Sequence, residues 1–572
     1  MHTLPKSSPG SAAVLLAVVL LTFVVGLFPF TADYVLFHPD ERHYADAGIR
    51  MLQSGDYLTP RTADGRLRLK KPILPYWCVA AGYHTVGVSP LGARLGFLLA
   101  GAGVVGLSWW GALIAFDSRR AACFAAVAAA SQPALLISAP RSVPDVCLAL
   151  AIQLSVCGFL LIQRRQKTTL VALAAAFGGA ALAVLSKGLP AVAFLGVAFV
   201  LSAWQSPALF RRDWWRWGLA AVICLLLGGS WFVVMGQLHS DELALQFLRD
   251  QLGRNRFAVT PAQALIQFPL CLALLLAMSG PWLLSMLPEL RSAEWRAQIA
   301  KQPGVLLILG WAFVYCALAG MINHVTPRYL LPVAAPLSIV VGGLLHQVDP
   351  ELLRRRLGRV LLVIGAVAAF GILVTGLNVP APTIRALSIV AVCAIAAMIV
   401  LARRHRQTNI VQSLSIAAAL HALLLVVGLG ISNWPSASIG RHVRDLPQLR
   451  DHHSQSRIVF AGEKSQATQV RVALGGRTPV VHETTTEDVS TSDVLVLDES
   501  LARPRDLSAY DIVQVPAGYT HLSAGEVVQA VVVGKLPQLL RDHERRFVIA
   551  TPRVEPESVT HTAARIPSPT VR

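Results

Sequence analysis

Residues 72–88 read Pro72-Ile73-Leu74-Pro75-Tyr76-Trp77-Cys78-Val79-Ala80-Ala81-Gly82-Tyr83-His84-Thr85-Val86-Gly87-Val88. The membrane topology turns on where this stretch is placed. It is apolar enough to tempt a membrane span, yet it carries two prolines, three large aromatic side chains and a histidine. Working outward, Lys70 and Lys71 precede it and a long apolar run, 91–116, follows it. Further runs long enough to cross a bilayer lie at 12–30, 121–138, 146–162, 170–185, 189–204, 219–235, 264–287, 305–322, 329–345, 360–377, 384–401 and 416–431. Without 72–88 these make thirteen spans. Alternate connections are then basic: Arg119/Arg120, Arg164/Arg165/Lys167, Arg211/Arg212/Arg216, Arg291/Arg296/Lys301, Arg354/Arg355/Arg356/Arg359 and Arg403/Arg404/Arg406. All six fall on one side, which the positive-inside rule makes cytoplasmic. The N-terminus is then cytoplasmic and the C-terminus outside. Counting 72–88 as a span would invert every later loop, so it reads as an interfacial helix on the outer face.

Composition agrees with this reading. Of 572 residues, 54% are hydrophobic and 14% charged, against about 25% charged in a soluble protein. Mean hydropathy is +0.56. These values exclude a wholly soluble, disordered, collagenous or disulfide-framework protein. The net charge of +18, from 50 Lys and Arg against 32 Asp and Glu, marks cytoplasmic loops rather than a nucleic-acid partner. The eight cysteines include no CxxC pair, which argues against a metal cluster or a disulfide framework. The run at 12–30 has no small-residue cleavage site after it and reads as an uncleaved first span.

Three domains are expected. Residues 1–432 form the transmembrane unit, with 31–90 as its first periplasmic loop. Residues 433–552 form a small periplasmic α/β domain, and 553–572, rich in Pro, Ser and Thr, a flexible tail. The β-rich runs 457–461, 470–474, 479–482, 494–497, 512–515, 527–533 and 547–550 suggest strands, with one helix at 536–543.

Chemistry-bearing residues collect on the outer side. The first outer loop holds His38-Pro39-Asp40-Glu41-Arg42-His43-Tyr44, then Asp46, and ends with Arg66, Arg68, Lys70 and Lys71. Its basic cluster runs against the positive-inside rule. It is either a solvated loop or an anion site at the membrane surface, and the echo in other outer loops favours the site. Asp145 opens a span, where a carboxylate either caps the helix or serves chemistry. Lys187 either snorkels or joins the same site. The loop after 219–235 holds Asp241, Glu242, Arg249, Asp250, Gln251, Arg254 and Arg256, and the next outer loop holds His324, Arg328 and Tyr329. Span interiors carry almost no ionisable residue, His421 being the main exception. A transporter should place charges near the midplane. Charges at the rim favour surface chemistry on an anionic lipid.

Asp40-Glu41 with Tyr44, Ser54-Gly55-Asp56, Lys71-Pro72, Asp145, Lys187-Gly188 and Arg328-Tyr329-Leu330-Leu331-Pro332 occur in this order and on one side. In this the chain resembles the GT-C polytopic glycosyltransferases of the protein O-mannosyltransferase family, and among them the bacterial aminoarabinose transferases. The resemblance covers most of residues 10–432 and continues into the C-terminal domain. It implies an inner-membrane enzyme that moves a sugar from a polyprenyl (undecaprenyl) phosphate to lipid A or a related envelope glycolipid on the periplasmic face. The sugar would be 4-amino-4-deoxy-L-arabinose or another. Asp40 would be the main catalytic carboxylate and Asp145 the second. Lys71 would hold the donor phosphate with Tyr329, Arg42 and Arg328. Glu41, His43, Tyr44, Lys70, Lys187, Gln251 and Arg254 would line the substrate pocket. No ligand spacing demands a metal, although Asp40 and Asp145 are of the type that holds a divalent cation. Three positions depart from the transferases: His43 replaces an Arg, Lys70 replaces a Glu, and Asp250-Gln251 replaces a Glu-His pair. They leave a neutral or acidic sugar open. A protein O-glycosyltransferase and a transporter of lipid-linked sugars are the alternative readings.

Overall fold

The computed structural model describes residues 9–34, 40–252, 260–322, 326–353, 438–444, 457–482, 489–490, 492–502, 505–519, 529–530 and 532–553, with a few isolated positions besides. Ten of the thirteen apolar runs fall on described residues, and each is helical. The runs 360–377, 384–401 and 416–431 and the tail at 553–572 lie almost wholly outside them. Helices are named here as α1 (Pro9–Thr31), α2 (Glu41–Ser54), α3 (Leu74–Val86), α4 (Pro90–Phe116), α5 (Arg119–Ala130), α6 (Pro133–Ser138) and α7 (Pro144–Arg165). They continue with α8 (Leu170–Lys187), α9 (Leu189–Gln205), α10 (Pro207–Leu238), α11 (Pro261–Met278), α12 (Val305–Gly320) and α13 (Leu331–Gln347). Among the described residues, seven helices are long and apolar enough to cross a membrane, and a bent pair, Ala293–Ala300 with Val305–Gly320, makes up to eight. The chain is a multi-pass membrane protein.

Burial sorts the bundle into inner and outer helices. α7 is almost wholly enclosed, whereas α1 and α10 turn most of their apolar surface outward. Exposed Val14, Val18, Leu21 and Val25 on α1, and Leu219, Val222, Leu225 and Leu226 on α10, show the outward faces. Such a surface is stable against lipid tails, which are as apolar as leucine. The run at 121–138 is not one helix. It breaks at Ser131 and Gln132, where the Gln132 side chain accepts from Ala134 N at 2.8 Å and Pro133 starts a new turn. Its first half, α5, is alanine-rich and buried throughout residues 121–130. Small side chains let neighbours approach closely. A Cβ added at Gly342 of α13 would lie 2.5 Å from Ala121 O.

The 72–88 stretch forms α3, of 13 residues. At 1.5 Å per residue it is about 20 Å long, too short for a hydrocarbon core of about 30 Å. It packs Tyr76, Val79, Ala80 and Tyr83 inward. Gly82 permits this: a Cβ there would lie 2.0 Å from Gly92 O of α4.

The C-terminal part holds a five-stranded sheet in the order β2-β1-β3-β5-β4. Its strands are β1 (Ile458–Ala461), β2 (Val480–His482), β3 (Val494–Asp498), β4 (Tyr510–Tyr519) and β5 (Glu544–Pro552). β1 pairs in parallel with β2 and β3, and the pairs with β5 are antiparallel. Alternate residues feed two cores, Ile458, Phe460, Val494, Val496, Phe547 and Ile549 on one face, Val459, Leu495, Leu497, Val548 and Ala550 on the other. Two sequence-predicted strands are corrected. Residues 470–474 end the helix α14 (Lys464–Ala473), which starts in a capping box of Glu463 and Gln466. Parallel β1 and β2 need a crossover, and α14 supplies it. Of the described residues in 527–533, 529, 530 and 532 are helical and 533 is in a turn.

α14 lies against α2. Arg471 donates to both Asp46 carboxylate oxygens, at 2.8 and 2.9 Å, and Thr468 Oγ1 donates to Asp46 at 2.9 Å. Gln53 Nε2 donates to Gly476 O at 2.7 Å, and Arg441 pairs with Asp33. The sheet unit is thereby fastened to the helix that begins beside Asp40.

Candidate active site

Asp40 stands at the N-terminus of α2 but makes no side-chain cap there. Its carboxylate instead meets Arg328 Nη2 at 3.4 Å. The other terminal guanidinium nitrogen, Nη1, lies 3.8 Å from Asp145 Oδ2. Asp145 sits in the first turn of α7, where the helix N-terminus favours its charge, and it accepts from Lys187 Nζ at 2.5 Å. Lys187 ends α8, where a cation meets the negative end of that helix. The chain then turns at Gly188, with φ of 77°, and a Cβ there would lie 2.8 Å from the Phe247 ring. Lys187 Nζ and Arg328 Cζ lie 4.6 and 5.1 Å from the Tyr329 ring centroid. Four helix ends therefore converge on two carboxylates joined by one guanidinium. The carboxylates are not equivalent, because the Asp40 side chain is 47% exposed and that of Asp145 only 2%. An incoming molecule can reach Asp40, while Asp145 fixes Arg328 and Lys187 from behind.

A second cluster adjoins the first. Lys71 Nζ pairs with Asp250 Oδ2 at 2.5 Å. Gln246 pins the strand-like segment before Lys71, accepting from Leu69 N and donating to Leu67 O. Trp231 Nε1 donates to Leu58 O at 2.9 Å, which holds the same loop to α10. Arg68 stands between His43, Tyr44 and Tyr76, and the rings of Tyr44 and Tyr76 lie 4.9 Å apart. The Arg68 Nε and the Tyr76 hydroxyl are both buried, with the Arg68 side chain close enough to bear on that hydroxyl. Burial, with the cations Arg68 and Arg42, brings His43 down to about 3, so it is neutral at physiological pH. Burial likewise holds the Tyr76 hydroxyl up at about 12, protonated and able to donate.

The structure brings Asp40, Asp145, Lys187, Arg328 and Tyr329 together, and sets Lys71, Arg42 and His43 in the adjoining cluster. Tyr44 is buried beneath it, at 2% exposure. Lys70 is exposed. Glu41 turns elsewhere. It is 1% exposed, binds Arg94 Nε at 2.7 Å and accepts from Ser142 N at 3.1 Å. Arg94 also donates to the carbonyls of Phe30 and Asp33. Glu41 therefore joins α2, α4 and the turn before α7 instead of lining an open pocket, and Arg94 is an ionisable residue inside an apolar run. Gln251 lies in the helical turn Arg249–Leu252, and Arg254, His324 and His421 fall outside the described residues. Sequence reasoning missed the parts of Arg68 and Tyr76. The alternation Arg66, Arg68, Lys70 was the signal for the first, and the aromatic at the start of α3 for the second. Among the described residues no three His, Cys, Asp or Glu side chains converge as metal ligands. A divalent cation between Asp40 and Asp145 would have to displace Arg328, and no step below passes through one.

Comparison with known proteins sets the class. The family model of dolichyl-phosphate-mannose-protein mannosyltransferases matches residues 13–244. The crystal structure of ArnT from Cupriavidus metallidurans bound to undecaprenyl phosphate superposes with a TM-score of 0.67 at 20% identity, over 95% of this chain and 98% of that one. The fold is that of the GT-C membrane proteins. Within that class, the chain resembles the aminoarabinose transferases. It is 27% identical over 377 residues to the undecaprenyl phosphate-alpha-4-amino-4-deoxy-L-arabinose arabinosyl transferase of Pectobacterium carotovorum, and 26% over 324 residues to that of Edwardsiella ictaluri. These matches take in 64% and 55% of this chain, and span 66% and 57% of the two relatives' length.

Proposed function

We propose that this protein is a glycosyltransferase of the bacterial inner membrane. It moves a sugar from a polyprenyl-phosphate donor to lipid A, or a related envelope glycolipid, on the periplasmic face. One observation carries this reading: an exposed carboxylate, Asp40, stands beside a cation-rich cluster at one end of the helices, in which Arg68 Nε and the Tyr76 hydroxyl are buried. An anion with several oxygens satisfies such a cluster.

The chemistry follows from the charges. The acceptor oxygen attacks the anomeric carbon, the bond from that carbon to the phosphate oxygen breaks, and the polyprenyl phosphate leaves. Its developing negative charge falls on Lys71, Arg68 and the Tyr76 hydroxyl, held in place before the reaction begins. Tyr329, under the cations Lys187 and Arg328, flanks the same space. A hydroxyl acceptor gives its proton to Asp40 as general base. A phosphate acceptor is already ionised, and Asp40 with Arg328 then orients it. Residues 1–432 are the catalytic unit, 433–552 its periplasmic partner domain. The match to the protein mannosyltransferases favours a second reading, with Ser or Thr side chains as acceptors.

Mass spectrometry of lipid A and of envelope proteins, from cells with and without this chain, separates the two. A sugar-sized mass gained on lipid A supports the first reading, and one gained only on proteins the second. No difference in either fraction would overturn both.

A further inference from the structure

Two cysteines stand next to the site and take no part in the chemistry above. Cys78 lies in α3, seven residues after Lys71, and Cys147 lies in the first turn of α7, two residues after Asp145. Their Sγ atoms are 3.8 Å apart. Cys147 is buried and Cys78 partly accessible. The backbone at Cys78 is closely seated, since a Cβ added at Gly96 of α4 would lie 3.1 Å from both Cys78 Cβ and Cys78 O. The separation exceeds the ~2.05 Å of a bonded pair by an amount that side-chain rotation can close. Both thiols stand at the same end of the helices as Asp40 and Asp145, the end that faces the oxidising periplasm in the orientation proposed above.

We infer that Cys78 and Cys147 form a disulfide in the mature protein, a bond that ties α3 to the first turn of α7. The oxidant is an extracytoplasmic thiol oxidase carrying a reactive disulfide. The Cys78 thiolate attacks that disulfide and expels one oxidase thiolate, giving a mixed disulfide. The Cys147 thiolate then attacks Cys78 Sγ and expels the second. Two cysteine thiols are oxidised, one oxidase disulfide is reduced to two thiols, and protons balance. Cys78 is suited to the first step. It is the more accessible of the two, and the hydrogen bond with the Cys147 thiol lowers its pKa. The bond sets the spacing between the Lys71 segment and Asp145.

The inference rests on the orientation given under the proposed function, and the test separates the two. Full-length protein is denatured directly from membranes in N-ethylmaleimide, without reductant, and its peptides are weighed. The expected result is a Cys78–Cys147 peptide pair lacking two hydrogens, which dithiothreitol separates. Maleimide on both cysteines overturns the inference. In that case the purified protein is treated with diamide. If the bond then forms, the geometry stands and the periplasmic placement has failed. If it does not form, the geometry itself has failed.

Discussion

At the scale of the residue, the difference between Asp40 and Glu41 is decisive. They are neighbours in sequence, yet one is half open beside Arg328 and the other is sealed against Arg94. Asp40→Asn keeps the shape and removes the charge. Transfer should fall by about two to four orders of magnitude, as loss of a general base usually does. Turnover at the wild-type rate, measured with a polyprenyl-phosphate sugar, would reduce Asp40 to a loop residue. Glu41→Gln should act on folding instead. It leaves the Arg94 guanidinium buried without its counter-charge, a loss of about 3–5 kcal/mol when one partner of such a pair is removed. The thermal midpoint in detergent reports it, and the double variant Glu41→Gln/Arg94→Met should recover part of the loss. His43 gives a pH prediction. Its pKa is lowered to about 3 by burial and by Arg68 and Arg42, so it stays neutral from pH 5 to 8 and takes up a proton only near the foot of the acid range. The pH–rate profiles of wild type and His43→Asn should therefore have the same shape over that range. An acid limb that disappears in the variant would show that His43 titrates there.

At the scale of the element, helices were legible because bilayer length and hydrophobicity dominate their sequence. The ten described runs became helices, and the length of α3 accords with its exclusion from the spans. What the pattern hid was local. The break at Ser131 and Gln132 depends on one side chain bonding the backbone two residues on, which hydropathy does not record. Residues 470–474 are β-branched enough to suggest a strand, but crossover topology and the Glu463–Gln466 cap decide for helix. Of the candidate site, the carboxylates, Lys71, Lys187 and Arg328 were legible as rim charges that interrupt apolar runs, and Tyr329 through the resemblance, and the structure places Asp40, Asp145, Lys187, Arg328 and Tyr329 close together. Arg68 and Tyr76 were not legible, since their place depends on how Gln246 and Trp231 fold the loop back. The α2–α14 contact yields a prediction of its own. Arg471→Ala strips Asp46 of its bidentate partner in a buried setting, where removing one partner costs about 3–5 kcal/mol. Limited proteolysis should then release the sheet unit readily, and activity should fall with it although Arg471 touches no substrate. An unchanged digest would mean that the contact carries little.

At the scale of the whole molecule, the described basic turns at Arg119/Arg120 and Arg164/Arg165 lie at the far ends of α4 and α7 from the carboxylate cluster, and under the positive-inside rule the proposed enzyme is sided. Single cysteines placed at positions 40 and 329 of a cysteine-free variant should be labelled by an impermeant maleimide from the periplasm, and one at 165 only after the membrane is opened. Labelling of position 40 from the cytoplasm alone would end the mechanism.

The clasp of Arg471 on Asp46 joins residues 425 positions apart. A ribosome working at 5–20 residues per second exposes the second on the order of a minute after the first. During that interval, in the proposed orientation, the helix beginning beside Asp40 is already outside, the buried Asp46 carboxylate still waiting for its cation. In the proposed orientation, catalytic competence is thus a late event in biogenesis: a nascent chain whose first helices are inserted remains unarmed until the segment that carries Arg471 has been exported and has closed over the first loop.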